Sequence, residues 1–127
     1  MKEAMRDIVR QRAEFRCEYC KLHQDDSPLA ALHVEHIVPR KHGGGDEPEN
    51  LCLACIDCNL HKGPNLTGVD PEGGNITPLF DPRRQNWDEH FQWDGVFVIG
   101  KTPVGRTTVR VLCMNSDERL ELRMADA

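Results

Sequence analysis

The chain has no excess of positive charge: 16 Lys and Arg stand against 21 Asp and Glu, a net −5 over 127 residues. A protein that coats nucleic acid carries the opposite balance, so any nucleic-acid contact must come from a local patch. Candidate patches are Arg6, Arg10, Arg12 and Arg16, then Arg40-Lys41, Lys62, and Arg83-Arg84. Taken singly, such clusters are more often solvated surface. No apolar run is long enough to span a bilayer. The opening stretch MKEAMRDIVRQRAEF lacks the apolar centre of a secretory signal. The six cysteines are therefore expected to stay reduced in a cytoplasm. There is no internal repeat and no low-complexity tract, and the length suits one domain with a modest core.

Residues 3–16 read as a helix, with Met5, Ile8, Val9 and Arg12 at helical spacing and Ala13 beside them. Residues 21–31, with Ser27-Pro28, read as a loop. LHVEHIVP (32–39) is rich in β-branched residues and predicts a strand, and LCLA can return as its hairpin partner after the Gly-rich loop 40–50. A helix is expected from Cys55 to a stop at Gly63-Pro64. Beyond a Gly- and Pro-rich connection, Asp81-Pro82 predicts a helix over 82–91 that places Trp87 over Phe91. GVFVIG (95–100) predicts a strand. Thr102-Pro103 opens a helix burying Val104, Val111 and Leu112, with the alternating TVRVL leaving a strand as the rival, and Ser116 caps a last helix.

Cys-x-x-Cys supplies two thiolates from one tight turn, and tetrahedral zinc takes two such pairs. Cys17 and Cys20 are the first pair. The second is either Cys52/Cys55 or Cys55/Cys58. Leu51 and Leu53 bracket Cys52 in a strand-like run, which makes it a small core hydrophobe. The residue after such a turn often takes a left-handed conformation, which Asn59 tolerates and Ile56 does not. Structural zinc at Cys17, Cys20, Cys55 and Cys58 is the reading, against four ordinary reduced thiols or a redox dithiol.

Between and beside the pairs lie Glu35, His36, Asn50 and Asn59. A carboxylate and an amide oxygen suit a hard divalent cation, and a neutral imidazole suits proton abstraction from water. Phosphodiester cleavage needs both. Singly each residue is ordinary; the ordered set is specific. CEYC, HVEHIVPRKHGGGDEPENL and CIDCNLHKG together resemble the HNH endonucleases, the ββα-metal (His-Me finger) family. Glu35 stands where many members carry Asp.

The resemblance implies an α+β fold whose ββα-metal core is stapled by one four-cysteine zinc, with added helices and a short C-terminal strand. It implies a Mg²⁺- or Mn²⁺-dependent DNA endonuclease leaving a 5′-phosphate. Glu35 and Asn59 would bind the catalytic cation, His36 would be the general base, and Asn50 would brace its loop. Glu35 and His36, adjacent in a strand, would have to serve one phosphate although neighbouring side chains face opposite ways, so an irregular strand is expected there. His61 and His33 are further candidates for the metal shell. Arg40, Lys41 and Lys62 are candidate phosphate contacts, with Arg83 and Arg84 as outlying ones. Residues 1–64 would be the nuclease core and 65–127 an extension packed on it as a single domain. The competing class is a zinc-stapled module that binds nucleic acid or protein without cutting. A mere binder has no need for Glu35, His36, Asn50 and Asn59 together.

Overall fold

The computed structural model describes residues 1–27 and 31–126, the side chain of Asp126 excepted. The proline of the Ser27-Pro28 loop therefore lies outside the described residues. Helix α1 (Glu3–Arg12) buries Val9 and carries Glu3 in its first turn and Arg10 and Arg12 in its last, the order the helix dipole favours. It ends four residues earlier than its pattern suggests. Glu14 and Phe15 take φ of 56° and 59°, a left-handed pair that turns the chain into the first cysteine turn.

Strands β1 (His33–His36) and β2 (Leu51–Ala54) are antiparallel, with Glu35 opposite Cys52 and His36 opposite Leu51. Helix α2 (Ile56–Lys62) follows at once, with Cys55 as its N-cap. This is a ββα unit. Strand β1 is shorter than the 32–39 expected, because beyond His36 the chain folds into a wide loop. Strand β2 is buried along its whole length. Its edge away from β1 is covered by Glu18: the Glu18 N–H donates to the Leu53 carbonyl at 2.8 Å and the Leu53 N–H to Glu18 Oε2 at 2.8 Å. The Arg12 guanidinium donates to the carbonyls of Pro48 and Leu51 at 3.0 and 2.7 Å, tying α1 to the entry of β2.

The second half departs more from expectation. The connection after α2 contains a hairpin, β3 (Thr67–Val69) with β4 (Ile76–Pro78). Gly68 is required there: a Cβ would lie 2.5 Å from Val111 Cγ2. The predicted helix 82–91 is a correction. Asp81 Oδ1 accepts from the Arg83 N–H at 2.9 Å, making a side-chain turn, and α3 covers only Trp87–His90 behind the Asn86 cap. Phe91 instead opens strand β5 (Phe91–Asp94), which pairs with β6 (Phe97–Gly100). Trp87 still meets Phe91, ring centroids 5.1 Å apart. Helix α4 (Pro103–Val111) resolves the helix–strand rivalry, with the Thr102 hydroxyl capping the Gly105 N–H. Helix α5 (Asp117–Asp126) closes the described chain. One cluster of buried residues runs through both halves, from Val9, Leu32, Leu51 and Leu53 to Phe80, Phe91, Val98, Leu112 and Met114.

Candidate metal centre and catalytic cleft

The sulfurs of Cys17, Cys20, Cys55 and Cys58 lie within 4.8 Å of one another, and all four residues are buried. Cys20 Sγ and Cys55 Sγ are 3.6 Å apart. Thiolates at the corners of a tetrahedron around zinc would be about 3.8 Å apart. The two turns match: the Cys20 N–H donates to Cys17 Sγ and the Cys58 N–H to Cys55 Sγ, each at 3.4 Å. Burial pushes the Cys17 and Cys58 thiols well up, while hydrogen bonds within the cluster, Cys17 foremost, bring Cys20 and Cys55 down; four thiolates this close would need a bound cation. The donor set fits zinc.

Cys52 stands apart. Burial pushes its thiol up to about 12, and it donates to the Tyr19 hydroxyl at 3.8 Å. The left-handed argument for the second pair needs correction. Lys21, after the first pair, has φ 69°, but Asn59 continues helix α2. The assignment stands on the sulfur positions.

Sequence reasoning missed Arg119. It is 5% exposed, and its Nη2 donates to Cys58 Sγ at 2.9 Å while Nη1 donates to the Leu112 carbonyl at 2.7 Å. Burial pulls this guanidinium down, yet the thiolates of Cys58, Cys20 and Cys55 outweigh that and hold it above its ordinary range. A zinc held by four thiolates would carry a net −2, and Arg119 would set a buried cation against it. The only sequence signal was an Arg in an amphipathic helix, which gives no hint of a partner 61 residues away.

Beside this centre lies a cleft of about 260 Å³ lined by Tyr19, Glu35, His36, Pro39, Arg40, Ala54, Asn59, Lys62 and Gly63. Strand β1 is regular through His36, yet both Glu35 and His36 border the cleft. Strand β1 has β2 as its single sheet neighbour. Glu35 is half-buried, and desolvation raises its carboxyl above the usual range against the pull of His33, His36 and Lys62. Asn59 reaches the cleft from the second turn of α2.

Asn50 lies beneath the loop that follows His36. Its Oδ1 accepts from the Val38 N–H at 2.9 Å, and its Nδ2 donates to the carbonyls of Val38 and Gly45 at 3.0 and 2.9 Å. The loop passes so close to itself that a Cβ on Gly44 would fall 1.7 Å from the Val38 oxygen. Asp46, which sequence reasoning also missed, places Oδ1 2.6 Å from His36 Nε2. The signal was present, an acid within the Gly-rich loop, but chain spacing does not show which residue it faces.

The other candidates separate. Arg40 lines the cleft, and its Nη2 donates to both Asp46 oxygens at 2.9 Å. Lys62 is buried, and its ammonium donates to the Ile37 carbonyl at 3.0 Å, pinning α2 to the end of β1. Burial lowers its pKa. His61, Lys41 and His33 are exposed and are not among the residues lining the cleft. Arg83 is ion-paired with Glu18, and burial foremost, then Arg12, brings it down to about 10. Arg84 pairs with Asp81 at 2.9 Å.

The structure thus joins a ββα unit, a four-cysteine cluster at its helix start, and Glu35, His36 and Asn59 in one cleft. The family model of the HNH endonucleases matches residues 17–65, and this segment is similar to that domain. Comparisons with curated proteins and with solved structures return no match. No helix among the described residues is long and apolar enough to cross a membrane.

Proposed function

We propose that the protein is a divalent-metal-dependent DNA endonuclease, with His36 as general base and the four-cysteine centre as a structural zinc site. The observation that carries this reading is the meeting of Glu35, His36 and Asn59 in one cleft directly beside the sulfur cluster. Cys58 anchors the start of α2, and the next residue, Asn59, thereby lines the same cleft as Glu35. A half-buried carboxylate and an amide oxygen are hard donors suited to Mg²⁺ or Mn²⁺. Such a cation, when bound, neutralises charge on the phosphate and on the leaving oxygen.

The chain's own residues do the rest. His36 takes the proton of the attacking water. Asn50 fixes the loop after His36 through three hydrogen bonds. Lys62 holds the end of β1 against α2. Arg40, at the rim, is the cation best placed to meet a phosphate. The residues beyond 65 act as an extension that completes the core around the zinc centre. Zinc-loaded protein is expected to nick supercoiled plasmid with Mn²⁺ or Mg²⁺ and to stop when a chelator removes the added cation. Absence of nicking across both cations would leave a zinc-stapled binding module as the reading.

A further inference from the structure

We propose that Asp46 is the positioning residue of His36, holding the ring by its Nε2 so that Nδ1 is left free. The proposal rests on the nuclease reading above and adds the residue that fixes the ring. Asp46 Oδ1 lies 2.6 Å from His36 Nε2. Both Asp46 oxygens also accept from Arg40 Nη2 at 2.9 Å. A carboxylate held by a guanidinium has no proton to give, so the hydrogen of the His36 contact belongs to Nε2. A neutral imidazole carries one N–H. With Nε2 occupied, its lone pair is at Nδ1.

The placement of Asp46 is itself built. Asn50 Nδ2 donates to the carbonyl of Gly45, the residue before Asp46, at 2.9 Å. Arg40 draws the same carboxylate from the cleft rim. A chain of contacts thus runs from the buried Asn50 through the Gly-rich loop to the ring of His36. In the reaction the water oxygen bonds phosphorus, its proton passes to Nδ1, and the 3′ oxygen leaves with the electrons of the broken P–O bond. The imidazolium so formed keeps its Nε2–H on Asp46, where a negative charge stabilises it.

The test combines imidazole ¹⁵N and ¹H NMR of the zinc-loaded full chain with plasmid-cleavage kinetics. In the wild type the neutral His36 ring should show a bare Nδ1 and a downfield Nε2–H protected from solvent exchange. Asp46→Ala should lose that protected proton. Its kcat should fall about 10–100-fold, the usual effect of removing an orienting partner, while KM for plasmid and zinc content stay unchanged. Asp46→Asn, the isosteric change, serves if the alanine variant loses zinc, and should lower kcat likewise. An Nδ1–H tautomer in the wild type, or wild-type kcat in a zinc-replete Asp46 variant, overturns the proposal. The NMR arm needs no DNA, so it tests the Asp46–His36 contact separately from the nuclease reading, and cleavage tests that reading.

Discussion

Glu35 and His36 are neighbours to which the proposed mechanism gives different tasks, and single substitutions should separate them. His36→Ala leaves Glu35 and Asn59 in the cleft and the four thiolates untouched. Both metals should stay bound, while cleavage falls about 10²- to 10⁴-fold, the usual cost of losing a general base. Glu35→Ala removes the carboxylate donor, so Mn²⁺ affinity should fall together with activity, with partial rescue at high Mn²⁺. Titration of Mn²⁺ beside plasmid nicking reads both; near wild-type cutting by His36→Ala would end the mechanism. The cysteines allow a parallel contrast. Cys52 is buried as a neutral thiol against Tyr19, whereas Cys58 is one of four clustered sulfurs. Cys52→Ser should keep one zinc per chain, and Cys58→Ser should lose the zinc and much of the fold, because zinc binding in small domains is folding free energy. Metal analysis and circular dichroism on the two variants settle which cysteine is the ligand.

At the level of elements, the four-cysteine cluster joins three segments: the 17–20 turn, the start of α2, and α5 through Arg119. Arg119→Leu would remove the cation facing Cys58 and free the carbonyls of Leu112 and Cys113. Breaking a buried charge pair typically costs about 3–5 kcal/mol. Zinc should therefore pass more readily to a competing chelator, and the melting temperature should drop. Unchanged zinc retention would mean that α5 merely lies over the site. The same elements explain what the sequence could and could not tell. The ββα order, both cysteine turns and the helix at Thr102-Pro103 were legible because each is governed by residues close in sequence: a β-branched run, a fixed spacing, a cap. Helix 82–91 was misread because Asp81 caps a turn as readily as a helix, and Asn86 then restarts the chain. The hairpin of β3 and β4 was hidden in a Gly- and Pro-rich stretch whose strands are three residues each. Asp46 and Arg119 went unseen for one shared reason: their partners, His36 and Cys58, are fixed by loop closure and tertiary packing, which no local pattern encodes.

For the molecule as a whole, charge pairing bears on both acid stability and DNA affinity. Asp70 accepts two bonds from Arg106, at 3.1 and 2.9 Å, and is held down to about 2, chiefly by that bond. An unfolded Asp titrates near 3.9. Because the folded value is the lower one, this stabilisation is complete above about pH 4 and is lost as pH falls toward 2. Asp70→Asn should therefore be less stable than the wild type at neutral pH, with the gap closing across that window in denaturant titrations; a gap independent of pH would refute the role. Similar pairing limits the grip on DNA. Among the arginines, Arg12 is engaged with backbone carbonyls, Arg83 with Glu18, Arg84 with Asp81, Arg106 with Asp70 and Glu72, and Arg119 with the sulfur cluster. Lys62 is turned onto Ile37. With a net charge of −5, few cations remain to displace counterions from a phosphate backbone. The slope of log affinity against log salt should therefore be shallow, equivalent to roughly two to five phosphate contacts. Arg40→Ala should reduce it by about one contact, since Arg40 lines the cleft itself. Fluorescence anisotropy with a labelled duplex, in chelator to prevent cutting, measures both. A slope equivalent to about ten contacts would place a second DNA surface outside the cleft, and the turn carrying Arg83 and Arg84 would be the first segment to test.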